Sequence, residues 1–255
     1  MGKCVECGKS LGFLSLKNKC DECALAEQKT DKDRKEQERK KALRAAAGNQ
    51  PHHGSILLLN EAERQLARMN SSDYTHTTHV DEENGTYDYD CSGFVGYALS
   101  RADPCAFSVL LHKGFNVRLH KRPDTGNFYY HLLQFGPDPG SGGWMRVSTP
   151  LELRPGDIIV WLKPDSSDAN STGHIMIVAG DPIENPKRTG EVLVPVIDST
   201  KSIHSSDTRS PGQTGLGKGI IGIMTDSSGS PTGYYWRGGK SRTFHETEMV
   251  FARIA

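Results

Sequence analysis

The chain has 255 residues, with 31 lysines and arginines against 31 aspartates and glutamates, so its formal net charge is zero. That balance removes any bulk electrostatic pull toward nucleic acid or an anionic membrane. Apolar residues make up 35%, enough for one core of ordinary size plus a small module, but no run approaches the roughly eighteen apolar residues that a membrane span needs.

Met1-Gly2-Lys3-Cys4 opens the chain without an apolar stretch of signal-peptide kind, and Glu6 stands where a myristoylation motif wants Ser or Thr. A cytoplasmic location is therefore the default expectation. Residues 1–25 hold two pairs, Cys4-x-x-Cys7 and Cys20-x-x-Cys23, twelve residues apart. Each pair can bend around one ion, and four thiolates complete the closed tetrahedral shell of a structural zinc site. So short a piece cannot bury enough surface to fold alone, and the metal would supply the folding free energy. Two disulfides are the alternative. Closed zinc sites do little chemistry, so this zinc-ribbon-like module is expected to recruit a protein partner or substrate.

Residues 26–51 are dominated by charged residues and alanine, with no apolar stripe wide enough to dock on a core. They read as a solvated helix or flexible tether; a basic patch for an anionic partner is the alternative. The folded body runs from 52 to 255. Ser55-Ile56 opens a helix with Leu59, Ala62, Leu66 and Met69 at helical spacing. A polar loop follows through Asn84-Gly85. A second helix starts near Cys91, with Phe94, Val95, Ala98 and Leu99 on one face. Strand-like runs bounded by turn residues come next: 157–162, 174–179, 192–198, 219–224 and 249–254. The stretch 215–236 reads as a strand–turn–strand hairpin ending at Trp236. Helices first and an antiparallel sheet afterwards make an α+β fold the expectation.

The informative stretch is Tyr87-Asp88-Tyr89-Asp90-Cys91-Ser92-Gly93-Phe94-Val95. A cysteine in a helix's first turn meets unpaired amides and the positive end of the dipole, which favour thiolate over thiol. Taken alone, such a cysteine can equally be a small buried apolar residue. Two further signals favour chemistry. Leu153-Arg154-Pro155-Gly156-Asp157 ends in a turn that launches Ile158-Ile159-Val160-Trp161, and a loop leads to Thr172-Gly173-His174-Ile175-Met176-Ile177-Val178. His174 thus begins a strand, where it can project into a cleft and take a thiol proton. In Val196-Ile197-Asp198-Ser199 an acid ends the next strand, placed to orient the imidazole. His112, His120 and His131 read as loop or surface residues, and Cys105 as a plain, at least partly buried thiol.

These three blocks, in this order and spacing, resemble the NlpC-type superfamily of cell-wall cysteine peptidases, over about residues 52–255. The resemblance implies a reduced papain core, helices packed on an antiparallel sheet, with Cys91 as nucleophile and His174 as base and acid. Asp198 becomes the polar third member. The family most often has histidine there, and His204 competes for the role. Tyr89 is implied to line the site and help the oxyanion or the substrate amine, with Asp90 and Ser92 meeting a free α-amine. The implied activity is amide hydrolysis on a peptidoglycan-type peptide or muropeptide, inside the cell or after export by a dedicated secretion system. Acyl transfer or deamidation on the same Cys-His scaffold is one alternative; a zinc-ribbon adaptor with a degenerate papain-like binding domain is another. No catalytic cofactor is expected.

Overall fold

A computed structural model describes residues 3–10, 22, 23, 26, 31, 34, 35, 53–112, 122–163 and 173–255. The chain divides into two compact units, Met1–Gly48 and Asn49–Ala255. In the first, Lys3 bridges Ser10 in antiparallel fashion. The Cys4 N–H donates to the Lys9 carbonyl at 2.8 Å and the Gly8 N–H to the Cys4 carbonyl at 3.0 Å. This tight turn carries Cys4 and Cys7, and Gly8 takes the positive φ of 73° that closes it. Cys20 lies outside the described residues, as does most of the 26–51 segment.

The second unit opens with α1 (His53–Arg68), whose buried stripe is Ser55, Leu58, Glu61, Ala62 and Gln65. The expected Leu59, Leu66 and Met69 flank it, partly buried. The rotation has a polar cause. Ser55 Oγ accepts from the Ile254 N–H at 2.9 Å, and Gln65 Oε1 accepts from the Tyr89 hydroxyl at 2.8 Å, so polar side chains with buried partners turn inward. The expected polar loop contains a short hairpin, β1 (His79–Asp81) on β2 (Thr86–Asp88). Next come α2 (Cys91–Ala102), α3 (Pro104–His112) and α4 (Thr125–Leu132). Phe94, Val95, Ala98 and Leu99 of α2 are fully buried, as its pattern predicts. Each large apolar side chain so buried contributes roughly 1.5–3 kcal/mol.

The strands that follow are β3 (Trp144–Val147), β4 (Ile158–Leu162), β5 (Gly173–Val178), β6 (Ile183–Glu184), β7 (Glu191–Thr200), β8 (Gly215–Thr225), β9 (Pro231–Tyr235), β10 (His245–Glu246) and β11 (Met249–Ile254). They form one nine-stranded antiparallel sheet in the order β10-β9-β8-β7-β5-β4-β11-β3, with β6 paired to β7. This corrects the expected papain-like α+β fold. The sheet is the frame, and the described residues of the second unit contain four α-helices, of 16, 12, 9 and 8 residues. The physical reason is long-range pairing. β7 and β8 alone match ten residue pairs, from Glu191↔Met224 to Thr200↔Gly215, and no local pattern announces how many strands join a sheet.

Both faces of the central strands are buried, with period-two sorting. Ile158, Val160, Ile175, Ile177 and Ile197 join the helices' core, while Ile159, Trp161, Met176, Val178, Val194 and Val196 fill a second core. Among the described residues no helix is long and apolar enough to cross a membrane.

The Pro155-Gly156-Asp157 turn is a structural anchor. Fully buried Asp157 takes two hydrogen bonds from Arg253, at 2.9 and 2.7 Å, and one from Ser55 at 3.3 Å. The pair ties α1, β4 and β11 together. Gly156 has φ +91° and a Cβ there would strike the Ser55 backbone. Arg253→Met would leave Asp157 buried without its cation. We expect a loss of about 3–5 kcal/mol in urea denaturation, and a shift below 1 kcal/mol would show that the pair is dispensable.

Candidate active site

The cysteine is placed by the cap of α2. Asp90 is the N-cap residue, and its Oδ1 accepts from the Gly93 N–H at 2.7 Å and from Ser92 Oγ at 3.0 Å. That arrangement satisfies helix-start amides and holds Cys91 in the first turn. Arg122 closes the other side, donating to Asp90 Oδ2 at 2.9 Å and to Ser92 Oγ at 2.8 Å. Burial would push the Asp90 carboxyl up, but Arg122 beside it holds it below its ordinary value. Asp90 and Ser92 are thus committed to the helix cap and to a cation, which leaves no bare carboxylate for a substrate amine. Gly93 is closely packed: a Cβ there would fall 2.8 Å from Thr78 Oγ1 and 2.9 Å from Tyr89 Cβ. The Cys91 Sγ lies 3.7 Å from Thr125 Oγ1 at the start of α4.

His174 and Asp198 share the strand parity of the second core. His174 Nε2 stands 2.7 Å from Asp198 Oδ2, and the ring is electrostatically coupled to Cys91. Burial would push the imidazole down. The charge interaction with Cys91, followed by the hydrogen bond to the Asp198 carboxylate, outweighs it, and the ring is raised to about 10. A raised imidazole stabilises the fold fully below its ordinary 6.5, and that contribution is lost as pH climbs through about 10. The denaturation midpoint of the native chain is therefore expected to exceed that of His174→Gln most at pH 6. The gap should close toward pH 10; a constant gap would refute the coupling.

Asp198 is the hub. Its Oδ2 also meets His204 Nε2 at 2.9 Å, and its Oδ1 accepts from Arg209 at 3.0 Å. Burial would raise this carboxyl, but the His204 and His174 rings hold it well below the usual carboxylate range. The choice between Asp198 and His204 resolves into two tiers: Asp198 touches the His174 ring, and His204 backs Asp198. His204 Nδ1 lies 2.9 Å from the Trp236 carbonyl oxygen, and its ring stacks on Trp236 at 4.2 Å. Arg209 also binds Asp207 and the Gly215 carbonyl.

Two glycines of β8 seat this loop. A Cβ on Gly217 would fall 2.7 Å from Arg209 Cζ, and one on Gly219 would fall 2.6 Å from His204 Cβ. Since Gly217 is opposite Asp198 in the register, only a bare strand leaves room for the guanidinium there.

Tyr89 is not where the resemblance implies. Its hydroxyl is fully buried on Gln65, and the charged and phenolic groups around it are Tyr87, Tyr97, Glu61 and Glu82. Tyr74 takes the position facing the reactive groups: burial raises its phenol, and Cys91, Asp90 and Asp198 raise it further. Sequence reading passed over Tyr74, a single aromatic in a polar loop, and Arg122, Arg209 and Thr125. The Gly215-x-Gly217-x-Gly219 alternation is the one local signal that could have exposed the seat for Arg209 and His204.

The remaining candidates scatter. His131 is buried beside Phe135, with centroids 5.1 Å apart; His112 ends α3, and His120 lies outside the described residues. Cys105, expected at least partly buried, is exposed on α3. Trp236 lies at the site, edge-on to His174 at 5.2 Å.

In the first unit the ligand atoms of Cys4, Cys7 and Cys23 lie within 4.8 Å of one another. Three soft sulfur donors this close can bind a metal, and their chemistry fits one that prefers thiolate.

No protein-family model matches the chain, and no solved structure matches it. The uncharacterized protein R653 of Acanthamoeba polyphaga mimivirus is 30% identical over 163 residues, which cover 58% of this chain and 67% of the viral protein. At that identity and coverage, the chain belongs to one family with this viral protein.

Proposed function

We propose that the chain is a cysteine hydrolase that cleaves an amide bond through an acyl-enzyme on Cys91. The observation that carries this reading is the buried Asp198–His174 pair, electrostatically coupled to Cys91 at a helix start. In the first step the Cys91 sulfur attacks the carbonyl carbon, and backbone N–H groups at the start of α2 receive the developing oxyanion. His174 then gives its proton to the departing nitrogen. A water that returns a proton to His174 attacks the thioester, releasing the acid and restoring Cys91. Asp198 keeps the ring oriented throughout.

The resemblance of the three motif blocks supports a peptidoglycan-type stem peptide as the substrate. Incubation of purified muropeptides followed by mass spectrometry should show cleaved stems. Intact stems carrying a new acyl group, or conversion of an amide to an acid without chain cleavage, would replace hydrolysis of the stem by transfer or deamidation.

For the first unit we propose a structural zinc held by Cys4, Cys7 and Cys23 with Cys20 as the fourth thiolate. Zinc would supply folding free energy to a segment too small to fold on an apolar core. Cys20→Ser is expected to lose stoichiometric zinc by elemental analysis, leaving the melting of the second unit unchanged. Zinc retained at one per chain in that variant would overturn the four-thiolate site.

A further inference from the structure

Beside His174 opens a cavity of about 660 Å³, within the size range of sites that enclose a small ligand or a few peptide residues. One wall is aromatic. Trp161 packs on Tyr234 at 4.5 Å and on His174 at 5.4 Å, and Trp236 meets His174 edge-on. The charged lining is one-sided. Lys163, Lys201 and Arg237 border the cavity, and among its described lining residues there is no aspartate or glutamate. Lys201 lies over the Tyr74 ring at 5.3 Å, which places a cation on the Tyr74 side of the cavity.

Across the site, the carboxylate that the resemblance assigns to a substrate amine is neutralised by Arg122. A site whose negative group is already paired, and whose cavity carries several cations, repels an amine and draws an anion. Aromatic faces suit the methylenes of an acidic side chain, while lysine and arginine suit its carboxylate.

Resting on the hydrolase reading above, we propose that this cavity selects an acidic peptide, holding side-chain carboxylates next to the scissile amide through Lys201 and Arg237. The net zero charge of the whole chain makes this a local property of the cleft, and salt should weaken it.

Two of the three tryptophans line the cavity, so intrinsic fluorescence reads its occupancy. The test titrates Cys91→Ala with the blocked peptides acetyl-Glu-Glu-Glu-amide, acetyl-Gln-Gln-Gln-amide and acetyl-Lys-Lys-Lys-amide at low salt. The acidic peptide should bind about tenfold or more tighter than the glutamine peptide, and the lysine peptide weakest. Adding Lys201→Glu and Arg237→Glu together should erase that preference. Equal affinities, a preference for lysine, no binding by any peptide, or a preference that survives the double change would each overturn the proposal. The hydrolase reading is tested separately by iodoacetamide on the native chain, where Cys91 should react faster than exposed Cys105 at neutral pH. Reaction at equal rates would remove the hydrolase and leave the cavity's charge preference to stand or fall on the titration.

Discussion

Cys91→Ala is expected to lower amide hydrolysis by about four orders of magnitude or more while the fold stays intact. The size follows from the role: without the sulfur no acyl-enzyme forms, and the remaining oxyanion donors and binding contacts act on a reaction that water must perform directly. The stability side follows from place. Cys91 is buried at a helix start, where its sulfur meets Thr125 at 3.7 Å, and replacing a thiol by hydrogen there deletes one atom. The loss should stay near 1 kcal/mol. Chemical denaturation and turnover measured on the same preparation separate the two. A variant that keeps a tenth of native turnover would show that Cys91 is a packing residue.

Asp198→Asn should be nearly as damaging, and in both properties. The carboxylate accepts from His174, His204 and Arg209 at once. An asparagine can keep an oxygen toward Arg209, but then its NH2 faces the two imidazole nitrogens that now point at Oδ2. His174 loses the acceptor that orients it, and turnover is expected to fall about 10³- to 10⁴-fold. Arg209 loses one of its two buried carboxylates and keeps Asp207, so unfolding free energy should drop by about 2–4 kcal/mol. His204→Gln retains a donor for Asp198 and should cost turnover no more than about tenfold. Equal losses in the two variants would mean that His204 acts directly on His174's chemistry rather than through Asp198.

The parts that local pattern could reveal are those governed by neighbouring residues. Phe94, Val95, Ala98 and Leu99 announce one buried helix face, and β11 spans the 249–254 run that its apolar residues mark. Cys91 and His174 take the first and second positions of α2 and β5, whereas β7 runs two residues past Asp198. Other features depend on distant partners. The α4 helix, Thr125–Leu132, carries a glycine and four aromatic or imidazole side chains that blur its period, though the Asp124–Asn127 capping box is a legible start signal. Tyr74 reaches the site because its N–H is held by Thr214 Oγ1, 140 residues later in the chain. Tyr89 was misplaced because its motif position says nothing of Gln65 on α1, which captures its hydroxyl. The breadth of the sheet, which displaced the expected papain-like architecture, is set by strand pairings that no window of a dozen residues contains.

The bare positions of β8 have a genetic corollary. Gly217 and Gly219 carry no reactive group, yet each leaves room for a side chain that braces Asp198. Random mutagenesis screened for lost turnover should therefore recover alanine and serine at the Gly217 codon among its dead clones and at the Gly219 codon among its partly active ones. A reader of such a screen would be tempted to score them as residues of the reaction, when what they supply is empty volume.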